Sequence, residues 1–217
     1  MADLIKTGPF KGLKKKHYKV ILADPPWAFT TRSDKGKERS ADMHYATMSL
    51  QRIMALPVQL LAAKDCVVFL WITDPMLFVG MNLLEAWGFK FKTVGFYWMK
   101  VNKDGKTPFT GMGFWTRANP EQVLTNLDPE KALAEKEGTQ LLLGTTGHPK
   151  RQAANVPKLI VAPRREHSRK PDEIYERIEA LVDGPYLELF SRTKRNGWDA
   201  WGNEVGKFET VDLNDLM

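Results

Sequence analysis

Six short, largely apolar runs divide this chain: Lys19–Ala23, Val67–Ile72, Val94–Met99, Leu141–Thr146, Leu159–Pro163 and Tyr186–Phe190. They are continuous rather than alternating, the pattern of strands buried on both faces in a parallel sheet. Helical patterns lie between several of them. Residues 49–63 carry apolar residues at helical spacing, with Pro57 expected to break or kink the segment. Leu77, Met81 and Leu84 define one face of a second helix, and Gly88 is its expected stop. A third has Pro171 at its first position, Asp172 and Glu173 in its first turn, and Ile174, Ile178, Leu181 and Val182 on one face. Alternating strand and helix predict an α/β sandwich with a mostly parallel central sheet. Ligands of such sheets bind beyond the carboxyl ends of the strands. Asp24 and Arg192 each follow a predicted strand, so both are expected at that edge.

The chain has 217 residues, enough for one domain with a sizeable core. No apolar stretch approaches the roughly 20 residues needed to cross a bilayer, and the first six residues lack the charged start and apolar run of a secretory signal. The single cysteine, Cys66, excludes an intrachain disulfide and lies beside Val67-Val68-Phe69, an expected core position. No Cys/His spacing suits a structural zinc, so no metal is expected. These features predict a soluble, cytoplasmic protein of a reducing compartment. The net charge of +6 gathers at Lys11–Lys16, Arg32–Arg39, Lys150-Arg151, Arg164–Lys170 and Arg192–Arg195. Such loops suit a rim tracking phosphates, although scattered solvated lysines give the same composition. Neither a dinucleotide-binding glycine fingerprint nor a Walker-type phosphate loop occurs.

Directly after Val20-Ile21-Leu22-Ala23 stands Asp24-Pro25-Pro26-Trp27. Asp24 is a charged acceptor, which makes the stronger kind of hydrogen bond. Neither proline has an N–H to compete as a donor, and Pro26 biases Pro25 toward an extended backbone, directing its carbonyl. Trp27 offers a flat face on which a base could stack, worth roughly 1–3 kcal/mol. The same four residues also suit an ordinary strand end with an acidic turn and a buried tryptophan.

Further pieces follow in order. They are His44-Tyr45-Ala46-Thr47-Met48-Ser49, Phe69-Leu70-Trp71-Ile72-Thr73, Trp98-Met99-Lys100, and Gly111-Met112-Gly113-Phe114-Trp115-Thr116-Arg117 with Glu121. Then come His167-Ser168-Arg169-Lys170-Pro171, and Glu188-Leu189-Phe190 leading to Gly197-Trp198 and Trp201-Gly202-Asn203-Glu204. Together with the tetrapeptide they resemble the N6-adenine methyltransferase family that includes the catalytic subunit of the eukaryotic messenger-RNA adenosine methyltransferase and small bacterial and phage members. The resemblance divides the chain into an N-terminal segment of uncertain role (1–18), a methyltransferase domain (19–205) and a tail (206–217). It implies a Rossmann-like sandwich with circularly permuted motif order, the strand of the cofactor site coming late, at Tyr186–Phe190.

The resemblance also implies a donor, S-adenosylmethionine, and a site. Asp24, Pro25, Pro26 and Trp27 would form the catalytic segment. Two acceptors, the Asp24 carboxylate and the Pro25 carbonyl, would take the two hydrogens of the adenine amino group and draw its lone pair out of conjugation. Asp24 would also attract the cationic donor. Lys170 matches the family lysine that pairs with the donor's carboxylate, Arg192 an arginine near the ribose, and Asn203 and Glu204 the pair contacting ribose and adenine. Tyr45 falls in the segment forming the mouth for the target base, or else is a half-buried tyrosine starting a helix. Trp71, Trp98 and Trp115 are read as packing residues, and Glu188 as a structural ion-pair partner. The expected reaction is direct in-line methyl transfer, resting on positioning and electrostatics rather than a tuned base. The expected partner is nucleic acid, DNA before RNA; a duplex target base must be flipped out. The segment before Lys19 does not clearly match the family part that helps hold the donor's adenine ring. An insertion at 125–140 reads as a charged helix or a solvated hairpin extension. The rival readings are the same reaction on RNA, a non-catalytic nucleic-acid-binding subunit and a small-molecule methyltransferase.

Overall fold

The computed structural model describes residues 3–27, 47–110, 140–165 and 169–207. Seven strands form one sheet: β1 (Tyr18–Ala23), β2 (Ala62–Trp71), β3 (Lys90–Val101), β4 (Gln140–Thr146), β5 (Leu159–Pro163), β6 (Tyr186–Leu189) and β7 (Trp198–Trp201). Their order is β5-β3-β4-β2-β1-β6-β7. All pairings are parallel except the two made by β4. The sandwich expected from continuous apolar runs is therefore present, with β4 as the one reversed strand.

β1 is central because its two faces feed two cores. Ile21 and Ala23 join a cluster with Ile53, Leu83, Leu84 and Trp87, while Val20 and Leu22 join one with Ile174, Tyr175 and Ile178. The first face is covered by α1 (Leu50–Met54) and α2 (Leu77–Ala86), the second by α3 (Glu173–Leu181). Phe10, 1 % exposed, carries the segment before β1 into the first core as well.

Several expectations shift in detail. The 49–63 helix breaks where Pro57 predicts: α1 is a single turn capped by Ser49, and Val58–Leu60 is a separate 3-10 turn before β2. Gly88 takes a φ of +82° just after α2, as a helix stop requires. In α3 the helix opens at Glu173 with Asp172 as its cap, so Pro171 lies outside it, and Val182 is already extended. β7 was not predicted, because Trp198-Asp199-Ala200-Trp201 is not a continuous apolar run. Cys66 is fully buried, and burial raises its thiol pKa, leaving an inert core side chain. No helix among the described residues is long and apolar enough to cross a membrane, and no cluster of metal-ligating side chains occurs among them.

Candidate active site

From β1 the chain builds outward through β2, then returns past β1 to place β6 on its other side. The strand order reverses between β1 and β6, and the crevice beyond such a switch point is where α/β sheets hold ligands. Asp24 leaves β1 at that point, and Ser191 and Arg192 leave β6 beside it.

The Lys170 ammonium donates to Asp24 Oδ2 at 2.6 Å, and the two side chains are 13 % and 24 % exposed. Lys170 also stands 5.4 Å from the Trp71 ring centroid, a cation–π contact that steadies its position. Lys170 thus stands beside Asp24, its partner in this structure. The Pro25 carbonyl accepts the Trp27 N–H at 2.8 Å. A carbonyl has two lone pairs, so one remains for a ligand. Pro26 fixes the turn by accepting the Met48 N–H at 2.9 Å. The stacking role expected of Trp27 needs correction. Its ring is 5 % exposed and packs in the first core cluster, so it supports the tetrapeptide from beneath rather than presenting a face.

Asp24, Pro25, Pro26 and Met48 form one wall of an open cleft. Phe190, Ser191 and Arg192 after β6, with Trp201, Gly202, Asn203 and Glu204 from β7 onward, form the other. Phe190 takes a φ of +62°, uncommon for a residue with a side chain, and this turn swings Arg192 toward the cleft. Arg192 Nε lies 2.9 Å from Glu204 Oε2, and Lys207 also pairs with Glu204. The Trp201 ring is held edge-on between Phe10 (5.0 Å) and Phe190 (5.4 Å), and its indole N–H donates to the Pro9 carbonyl at 2.8 Å. The segment before β1, which sequence left without a role, therefore braces this wall.

Gly202 lets the two strand ends meet. A Cβ there would stand 2.5 Å from the Ser191 carbonyl oxygen and 2.8 Å from its nitrogen, both rigid backbone. Gly202→Ala is expected to cost about 1–3 kcal/mol, the usual penalty of overpacking, read as a lower denaturant midpoint with an unchanged slope.

Glu188 is the residue that sequence misjudged. Expected to form an ion pair, it is instead bonded by two hydroxyls: Tyr175 donates to Oε1 at 3.0 Å, and Ser191 Oγ lies 2.7 Å from Oε2. Burial pushes its carboxyl pKa up to about 7, against the two hydroxyl bonds; the Asp24 charge raises it further and that of Lys170 opposes. Ser191 Oγ also lies 2.7 Å from the Thr193 carbonyl and accepts the Thr193 N–H at 3.3 Å. A hydroxyl has one proton. A protonated Glu188 satisfies every group, donating to Ser191 while Ser191 donates to Thr193. The readable signal was an acid between Leu187 and Leu189, since a carboxyl in a buried strand needs partners.

Trp71 and Trp98, 2 % and 4 % exposed, are packing residues as expected. Tyr45, Trp115, Glu121, His167 and most of the 125–140 insertion lie outside the described residues. Among the described residues the basic clusters do not form one rim; Arg32–Arg39 lies outside them. Lys14 is tied to Asp199 and Lys16 to the Gln59 carbonyl, and Lys150-Arg151 lies between the end of β4 and the start of β5, at the edge opposite Asp24. Arg195 pairs with Glu179, and Arg165 with Asp172.

The MT-A70 family profile matches residues 18–204. A type II methyltransferase, M.MunI, of Mycoplasma is 32 % identical over 90 % of this chain and 81 % of its own length. The human N(6)-adenine-specific methyltransferase METTL4 is 30 % identical over 91 % of this chain and 39 % of its own. The human N(6)-adenosine-methyltransferase catalytic subunit METTL3 is 27 % identical over 90 % and 29 %. The chain thus spans well under half of the two human relatives and most of the mycoplasmal one. With the profile covering nearly all of the described sheet and every strand end that builds the cleft, the chain belongs to the MT-A70 family.

Proposed function

We propose that this protein transfers a methyl group from S-adenosylmethionine to the exocyclic N6 of adenine in DNA. The observation that carries the reading is the Asp24–Lys170 pair at the β1/β6 switch point, opening onto the cleft of Arg192, Asn203 and Glu204. When bound, the donor supplies an electrophilic methyl on a cationic sulfonium. The cleft fits it in chemistry. Asp24 and Lys170 offer opposite charges to a zwitterionic amino-acid end, and Asn203 and Glu204 offer an amide and a carboxylate to ribose hydroxyls.

The Asp24 carboxylate and the remaining Pro25 lone pair accept the two amino hydrogens of adenine, which localises the nitrogen lone pair. Lys170 holds Asp24 in register for this, so both partners meet in a fixed orientation. No group with the strength of a general base is needed, because a methylated amino nitrogen sheds its proton readily. DNA is favoured over RNA because a type II methyltransferase is matched along most of its own length. The test is a radiolabelled methyl-transfer assay on matched DNA and RNA. Label recovered as N6-methyladenine in DNA is the expected result; label in RNA alone overturns the substrate, and no transfer or donor binding overturns the activity.

A further inference from the structure

The donor cleft uses the β1, β6 and β7 ends of the sheet. The other half of the same edge carries a feature that this chemistry does not use. β3 and β5 run parallel and end there, and beyond them residues 101–109 form a short arm. Val101 bridges Pro108, the Asn102 N–H bonds the Thr107 carbonyl at 2.8 Å, and the Phe109 N–H bonds the Lys100 carbonyl at 2.9 Å. Asp104 pins the tip by accepting the N–H groups of Lys106 (2.9 Å) and Thr107 (3.0 Å), bonds that hold its carboxyl pKa below the usual range. The Arg164 N–H anchors to the Val101 carbonyl at 3.2 Å, and its guanidinium lies 3.7 Å from the Phe109 ring centroid.

The arm is ordered by its own bonds, and its cations face outward. Lys103, Lys106 and Arg164 are exposed, and none has an ion-pair partner among the described residues. The one acid of the turn, Asp104, is exposed, its carboxylate accepting from two backbone amides. An ordered tip where three cations (Lys103, Lys106 and Arg164) stand against the single acid Asp104, beside a nucleic-acid site, has the chemistry of a phosphate contact.

We propose that this arm, through Lys103, Lys106 and Arg164, clamps the backbone of the DNA flanking the target adenine, on the side away from the donor. This rests on the functional reading above. Its position gives the register. β3 and β5 stand three and four strand spacings from β1, which at ~4.8 Å each is roughly 14–19 Å from Asp24. A DNA strand advances about 3.4 Å per nucleotide, so the arm meets phosphates about four to six nucleotides from the target.

The experiment measures binding of duplexes by fluorescence anisotropy across a salt series. Wild type, the Lys103→Ala/Lys106→Ala double variant and Arg164→Gln are compared on duplexes with flanks of ten or two base pairs. With long flanks, the double variant is expected to bind about tenfold more weakly at low salt, equally for all sequences. Its slope of log affinity against log salt should be shallower by about two. With short flanks it should match wild type, and calorimetric binding of S-adenosylmethionine should be unchanged throughout. Lys150→Ala/Arg151→Ala, at the opposite edge, should behave as wild type on every duplex. Unchanged affinity and slope on long flanks, or equal losses on both lengths, overturn the arm while leaving the methyltransferase reading intact. Wild type that binds no duplex at all overturns both.

Discussion

Asp24→Asn should abolish methyl transfer, lowering kcat/KM by about a thousandfold or more while the fold stays intact. Asparagine keeps the shape and one acceptor oxygen, so the loss isolates the charge. It replaces the ion-paired hydrogen bond with Lys170 at 2.6 Å by a weaker one from the ammonium to an uncharged amide oxygen. It can also place an amide donor where the adenine amino group must donate. Removing one preorganised electrostatic contact of this kind typically costs two to three orders of magnitude, and losing the orientation of Lys170 adds to it. Single-turnover transfer at saturating donor, with thermal unfolding alongside, checks this. A variant within tenfold of wild type would remove Asp24 from the mechanism.

The second large effect concerns stability and pH. The Glu188 carboxyl is shifted from 4.5 to about 7 in the fold, so between those values the folded chain holds a proton that the unfolded chain has lost. Stability is therefore full below about 4.5 and falls as pH rises through about 7. At about 1.4 kcal/mol per unit the full loss is of order 3 kcal/mol. Glu188→Gln mimics the protonated form, so it should raise Tm at pH 8 by several degrees, at roughly 2–4 °C per kcal/mol for a chain of this size. It should change Tm little at pH 4.5. Asp24→Asn should move the same transition to lower pH, because the Asp24 charge is one of its causes. Tm measured from pH 4 to 9 for the three proteins decides it. Parallel curves for wild type and Glu188→Gln would show that Glu188 does not titrate in this range.

What sequence made legible follows from how local each signal is. Val20-Ile21-Leu22-Ala23 is apolar on both faces, so it could only be an interior strand, and the two prolines after it could only end one. Lys170 and Asp24 are 146 residues apart; motif order gave their roles, but only the β1/β6 crossover brings the two together. Trp27 misled because a tryptophan beside an acid looks the same whether its ring faces solvent or core. β7 was invisible because an edge strand need not be apolar: its Asp199 accepts bonds from Tyr18 and Lys14 instead. The described basic clusters failed as one rim because neighbours in sequence can lie at either edge of a sheet, and the arm at 101–109 had no cluster to mark it.

Trp201, fixed between Phe10 and Phe190 with its indole N–H on Pro9, gives the protein an intrinsic optical reporter. Among the described residues the other tryptophans at 27, 71, 87, 98 and 198 are all buried, whereas Trp201 is partly open and borders the cleft. Emission from this ring should be the fraction that acrylamide reaches among them, and a ligand settling into the cleft should shield it. Occupancy can then be followed by quenching alone, without a label, a substrate or a turnover.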